Sequence, residues 1–100
     1  MILVRDVFEA KFDSGEAAIL VLKEGAHLIR KNGNSTGTPR LLMDFAGPFF
    51  TIVLETTHSS LAEYENALAK LMENKEYQTW YETVVPLMKS GRREIFTIIE

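Results

Sequence analysis

Between Ile2 and Lys11 apolar side chains fall on alternate positions: Ile2, Val4, Phe8 and Ala10 share one phase, and Leu3, Arg5, Val7 and Glu9 the other. A two-residue period predicts a first strand with one apolar and one mixed face. Asp13-Ser14-Gly15-Glu16 then offers an N-cap with an acidic residue three places on, and Ala18, Leu22, Ala26 and Ile29 recur at helical spacing. Arg30 and Lys31 suit the carbonyl end of that first helix, and Gly33 is its stop. From Asn32 to Pro39 every residue is turn-forming, which predicts a mobile loop. Two β-rich runs follow, Arg40 to Ala46 and Phe49 to Thr57, and Gly47-Pro48 between them predicts a tight antiparallel hairpin. Ser60-Leu61-Ala62-Glu63 repeats the capping pattern before a stripe of Leu61, Tyr64, Leu68 and Leu71. Asn74 caps a short further helix carrying Tyr77, Trp80, Tyr81 and Val84, which Pro86 ends. Gly91 breaks the chain, and Arg92 to Glu100 reads as the last strand.

The order is strand, helix, strand, strand, helix, strand, with an extra helical segment before the last strand. This is the ferredoxin-like split βαβ arrangement, an α+β class in which two right-handed crossovers put both helices on one face of a four-stranded antiparallel sheet. The other face is left bare. Its expected residues, Leu3, Val7, Thr51, Val53 and Ile95, are too apolar to be wholly solvated, so a second copy is expected to cover them. A chain of 100 residues has room for one core, so residues 1–100 are expected to form one domain.

Composition narrows the functional classes. A net charge of −3 and scattered basic residues argue against nucleic acid as a partner. No cysteine is present, which removes disulfides, thiolate catalysis and Cys-ligated metal centres. Charges at Arg5 and Asp6 interrupt the apolar N-terminus, and Lys23 and Glu24 the longest apolar run. Neither a signal peptide nor a membrane span is therefore expected, and the expected location is the cytoplasm. No Ser-His-Asp order, nucleophile elbow or phosphate loop occurs.

The weak catalytic candidates are Asp6 and His58. Asp6 shares the apolar phase of its strand, where a carboxylate is either a general base or the partner of Arg92 or Arg93. His58 continues the phase of Phe50, Ile52 and Leu54, but reads first as a loop histidine near a helix start. His27 lies on a polar helix face with Lys23, Glu24 and Lys31. Two histidines from unrelated elements make no metal site, and no cofactor is implied. Asp44 and Glu55 read as structural carboxylates facing Arg5 or Arg40. Tyr64, Trp80 and Tyr81 are the candidate ligand contacts, as aromatic walls for a flat hydrophobic molecule, with core packing as the plainer alternative.

Taken in order, Gly47-Pro48-Phe49-Phe50, Val53-Leu54-Glu55, Tyr77-Gln78-Thr79-Trp80-Tyr81, Val85-Pro86-Leu87 and Ser90-Gly91-Arg92-Arg93-Glu94-Ile95 resemble the NIPSNAP-type members of the dimeric α/β barrel superfamily. The resemblance implies a homodimer with facing sheets and a small pocket between sheet and helices in each subunit. Members of the superfamily include cofactor-free monooxygenases of aromatic polyketides, isomerases, decarboxylating enzymes and haem-handling proteins. That breadth leaves three expectations open: a protein binding a hydrophobic or aromatic metabolite, a cofactor-independent monooxygenase or isomerase, and a structural dimer without a ligand.

Overall fold

A computed structural model describes residues 1–32 and 38–100. Strand β1 (Ile2–Ala10) leads to helix α1 (Gly15–Asn32), edge strand β2 (Arg40–Met43), β3 (Thr51–His58), α2 (Leu61–Glu73) and α3 (Lys75–Val84). A single 3₁₀ turn, Val85–Leu87, connects α3 to β4 (Met88–Thr97). The four strands are antiparallel neighbours in the order β2-β3-β1-β4. This is the ferredoxin-like βαββαβ order with the added helical segment. No helix among the described residues is long and apolar enough to cross a membrane.

The caps written in the sequence set the helix starts. Ser60 Oγ accepts from Glu63 N–H at 3.2 Å, and Asn74 Oδ1 from Tyr77 N–H at 2.9 Å. Helix α1 begins one residue later than an Asp13 cap requires: Ala18 N–H donates to Ser14 O, and Ser14 Oγ turns back to Asp13. The stop at Gly33 and the central part of the turn-rich loop lie outside the described residues.

Several sequence expectations change. The hairpin is not tight. Strand β2 ends at Met43, where Asp44 Oδ1 accepts from Thr51 N–H at 2.9 Å, and Phe50 enters β3 at φ 61° with its ring over Gly15. A Cβ at Gly15 would lie 2.4 Å from that ring, so the absent side chain is what admits it. Gly91 does not break the chain but sits inside β4 opposite Phe8, because β4 already begins at Met88. In α2 the inward residues are Tyr64, Ala67 and Leu71, whereas Leu61 is 50% exposed in the first turn.

Cross-strand register settles the faces. Val4, Asp6 and Phe8 pair with Thr56, Leu54 and Ile52 on one side and with Ile95, Arg93 and Gly91 on the other. The helices pack on this face, over a core that includes Ala18, Leu22, Ile52, Leu71, Trp80 and Val84. Leu3, Val7, Thr51 and Val53 occupy the opposite face as expected, but Ile95 does not; Phe96, opposite Leu3, takes that place. Ile95 stands opposite Val4 and so faces the helices; which phase of β4 faces which way is set by its pairing with β1 and not by a pattern within β4.

One row of the open face is ionic. Arg40, Glu55, Arg5 and Glu94 stand opposite one another across all four strands. Glu55, only 9% exposed, meets Arg40 Nη2 at 2.8 Å and Arg5 Nε at 3.1 Å, and Arg5 reaches Glu94 at 3.3 Å. Two guanidinium groups on one carboxylate satisfy the charge that burial would otherwise penalise. Asp44, by contrast, is a loop residue and caps a backbone donor.

Candidate functional site

On the helix-covered face a cavity of about 460 Å³ opens between the β1–β4 pair and α3. Its walls are the aromatic rings of α3, Tyr77, Trp80 and Tyr81, facing Phe8 and Leu54 of the sheet, with Val84 and Met88 beyond. Spacing on α3 explains the wall: Tyr77, Trp80 and Val84 recur at i, i+3 and i+7, so all three turn inward. Tyr81 follows Trp80 by one residue and stands at the mouth, 54% exposed. Grooves of comparable volume lie between α1 and α3 and between α1 and β2. The β1–β4 cavity is distinguished by chemistry, since it joins this aromatic wall to a fixed ion pair.

The pair is Asp6 with Arg93, directly opposite on β1 and β4. Arg93 donates from Nε to Asp6 Oδ1 and from Nη2 to Oδ2 at 3.2 Å, a two-point contact that fixes the plane of the guanidinium. Of the two uses open to Asp6, the structure shows the partner of Arg93. Arg93 also lies over the Tyr64 ring, 5.7 Å from its centroid. Its own pKa is raised, mainly by the hydrogen bond to Asp6.

Trp80 is held from behind. Its indole N–H donates to Val21 O of α1 at 2.6 Å, and its six-membered ring lies on Gly25. Tyr77 is packed against it at 5.2 Å between ring centroids, and burial raises the pKa of the Tyr77 phenol. The wall is thus rigid where it meets the core and open at Tyr81. Tyr77 was not among the expected ligand contacts; its place three residues before Trp80 was the available signal.

Tyr64 and His58 form a neighbouring cluster and do not border this cavity. His58 is no loop residue: it closes β3 opposite Ile2, 4% exposed, with Nε2 3.0 Å from Thr56 Oγ1 and its ring at 5.0 Å from that of Tyr64. His58 Nδ1 and Tyr64 Oη are buried without a hydrogen-bond partner among the described residues. Burial raises the Tyr64 pKa, and the nearby Arg93 guanidinium opposes that rise. His27 is exposed on α1. Among the described residues no cluster of His, Cys, Asp or Glu is arranged to hold a metal ion.

Burial also lowers the His58 pKa from its ordinary 6.5, an effect that Glu63 partly offsets. The native state therefore favours neutral imidazole, whereas the unfolded chain takes up a proton near the ordinary value. Between the depressed native value and 6.5 the unfolded state binds more protons, so stability should fall as pH drops through that window. Urea midpoints at about pH 7.5 and about pH 5.5 should show this loss in the wild type and a smaller one in His58→Gln. Equal losses in both proteins would remove His58 as the cause.

No family model and no curated protein sequence matches the chain. Solved structures do. A NIPSNAP domain protein from Burkholderia xenovorans superposes with a TM-score of 0.84 at 10% identity, covering 98% of this chain and 94% of that one. A NIPSNAP family protein from Agrobacterium tumefaciens gives 0.81 at 16% identity, covering 96% and 90%. A Nitrosomonas europaea protein provisionally assigned as an antibiotic biosynthesis monooxygenase gives 0.77 at 20% identity over 100% of both chains. The chain shares their ferredoxin-like fold.

Proposed function

We propose that this chain is a homodimeric binding protein that holds a flat hydrophobic or aromatic metabolite between its sheet and α3. The observation that carries the reading is a rigid aromatic wall, Tyr77 and Trp80, facing a fixed polar pair, Asp6 and Arg93, across one cavity. Small-molecule sites have this composition: apolar surface for affinity and a few placed polar groups for orientation. On the open sheet face, Phe96, 49% exposed opposite Leu3, supports the paired assembly. A cofactor-independent monooxygenase or isomerase, suggested by the likeness to the Nitrosomonas europaea protein, is the second reading. Geometry favours binding over this reaction, because the Asp6 carboxylate is already engaged by Arg93 and His58 lies off the cavity.

Native mass spectrometry of the protein as purified, beside a denatured spectrum, is the test. The expected result is a dimer carrying an extra mass that is lost on denaturation and is diminished in a Tyr77→Ala variant. A monomer would overturn the assembly. A ligand-free dimer that also fails to shift the emission of Trp80, the single tryptophan, when titrated with flat aromatic compounds would overturn the binding role.

A further inference from the structure

The charge of the cavity identifies a narrower ligand class. The chain as a whole is acidic, with a net charge of −3, yet the ionised residues bordering this cavity are Lys89, Arg92 and Arg93 against Asp6 alone. Lys89 and Arg92 are paired with Glu9 and Glu94, acids that do not border the cavity. Arg93 is the cation held within it. Asp6 engages its Nε and Nη2, so the guanidinium has a set orientation but keeps donors beyond those two, and its side chain remains 43% exposed. The one carboxylate of the cavity is thus already engaged while Arg93 keeps donors to spare, which suits a ligand bringing acceptor oxygens of its own.

Resting on the binding role proposed above, we infer that the ligand is a planar aromatic anion, an aryl carboxylate, whose ring lies against Tyr77 and Trp80 and whose oxygens meet Arg93. A guanidinium recognises a carboxylate through parallel N–H donors, a geometry that a neutral amide cannot reproduce. Asp6 has a double role: it aims Arg93 and, as a like charge, limits how strongly the anion is held.

The test is calorimetric titration of the full chain with 2-naphthoate and with its neutral isostere, 2-naphthamide. The wild type should bind the carboxylate about tenfold more tightly than the amide, the worth of roughly one charge-assisted hydrogen bond. Arg93→Gln should abolish the preference for the acid over the amide. Asp6→Asn, which keeps the cation and removes the competing charge, should tighten naphthoate binding several-fold, an increase that a purely structural role for the pair does not produce. It also provides a second readout if Arg93→Gln does not fold. Equal binding of acid and amide in the wild type overturns the anion proposal and leaves the aromatic cavity standing. Binding of neither overturns both.

Discussion

Replacing Gly25 by Ala should lower the stability of this protein by about 2–4 kcal/mol, although alanine is the better helix former by about 1 kcal/mol. Position 25 lies inside α1, where the added methyl would stand 2.1 Å from Trp80 Cζ2 and 2.7 Å from Cε2 and Cη2. Contacts that short require movement, and the indole has little freedom to move. Its N–H is bonded to Val21 O at 2.6 Å, one turn back on the same helix, and Tyr77 packs against it. Displacing the ring sacrifices that bond and leaves a buried donor to be satisfied elsewhere; keeping it separates α1 from α3. Either response outweighs the gain in helix propensity. At about 4–8 °C per kcal/mol for a domain of this size, the melting temperature should drop by about 8–32 °C. A far-UV circular dichroism melt measures it, and an unchanged or raised midpoint would show that α3 yields to the methyl without cost.

That contact was invisible in the sequence, whereas most of the architecture was legible. Element order, the Ser60 and Asn74 caps and the short helix carrying Tyr77, Trp80, Tyr81 and Val84 all follow from residues within a few positions of one another, and local patterns report local structure. The misreadings arose where a distant partner decides. Gly91 reads as a breaker, yet the long antiparallel pairing of β4 with β1 carries it through. The Gly47-Pro48 hairpin failed because the Asp44 side chain, not the next backbone group, takes up Thr51 N–H, and because Phe50 accepts a left-handed conformation to reach Gly15. Glu55 could be matched with Arg5 or Arg40 from sequence alone; that it holds both needs three strands in register. For the candidate site, the alternative of an Asp6–Arg93 pair was available from phase. Tyr64 was rightly placed inward, but which side of Arg93 it occupies depends on how α2 and α3 divide the sheet between them.

Trp80 itself should be the most sensitive position. Trp80→Ala removes the ring that ties α3 to α1 and walls the cavity, at a cost of about 3–5 kcal/mol. Against a typical total of about 5–15 kcal/mol, that leaves the variant marginally folded. Trp80→Phe should cost less, about 1–2 kcal/mol: the donor disappears together with its bond, and Val21 O keeps its place in the α1 hydrogen-bond ladder, so no buried group is orphaned. The smaller ring also lacks the outer atoms that an alanine at position 25 would strike. Gly25→Ala and Trp80→Phe should therefore be non-additive, the double variant being about 1–2 kcal/mol more stable than the sum of the single losses. Urea unfolding of the four proteins, followed by circular dichroism because the phenylalanine variants contain no tryptophan, measures this coupling. A coupling near zero would mean that Gly25 is required by something other than the indole. The predicted value would identify the glycine and the tryptophan, 55 positions apart, as one packing unit that holds the aromatic wall in place.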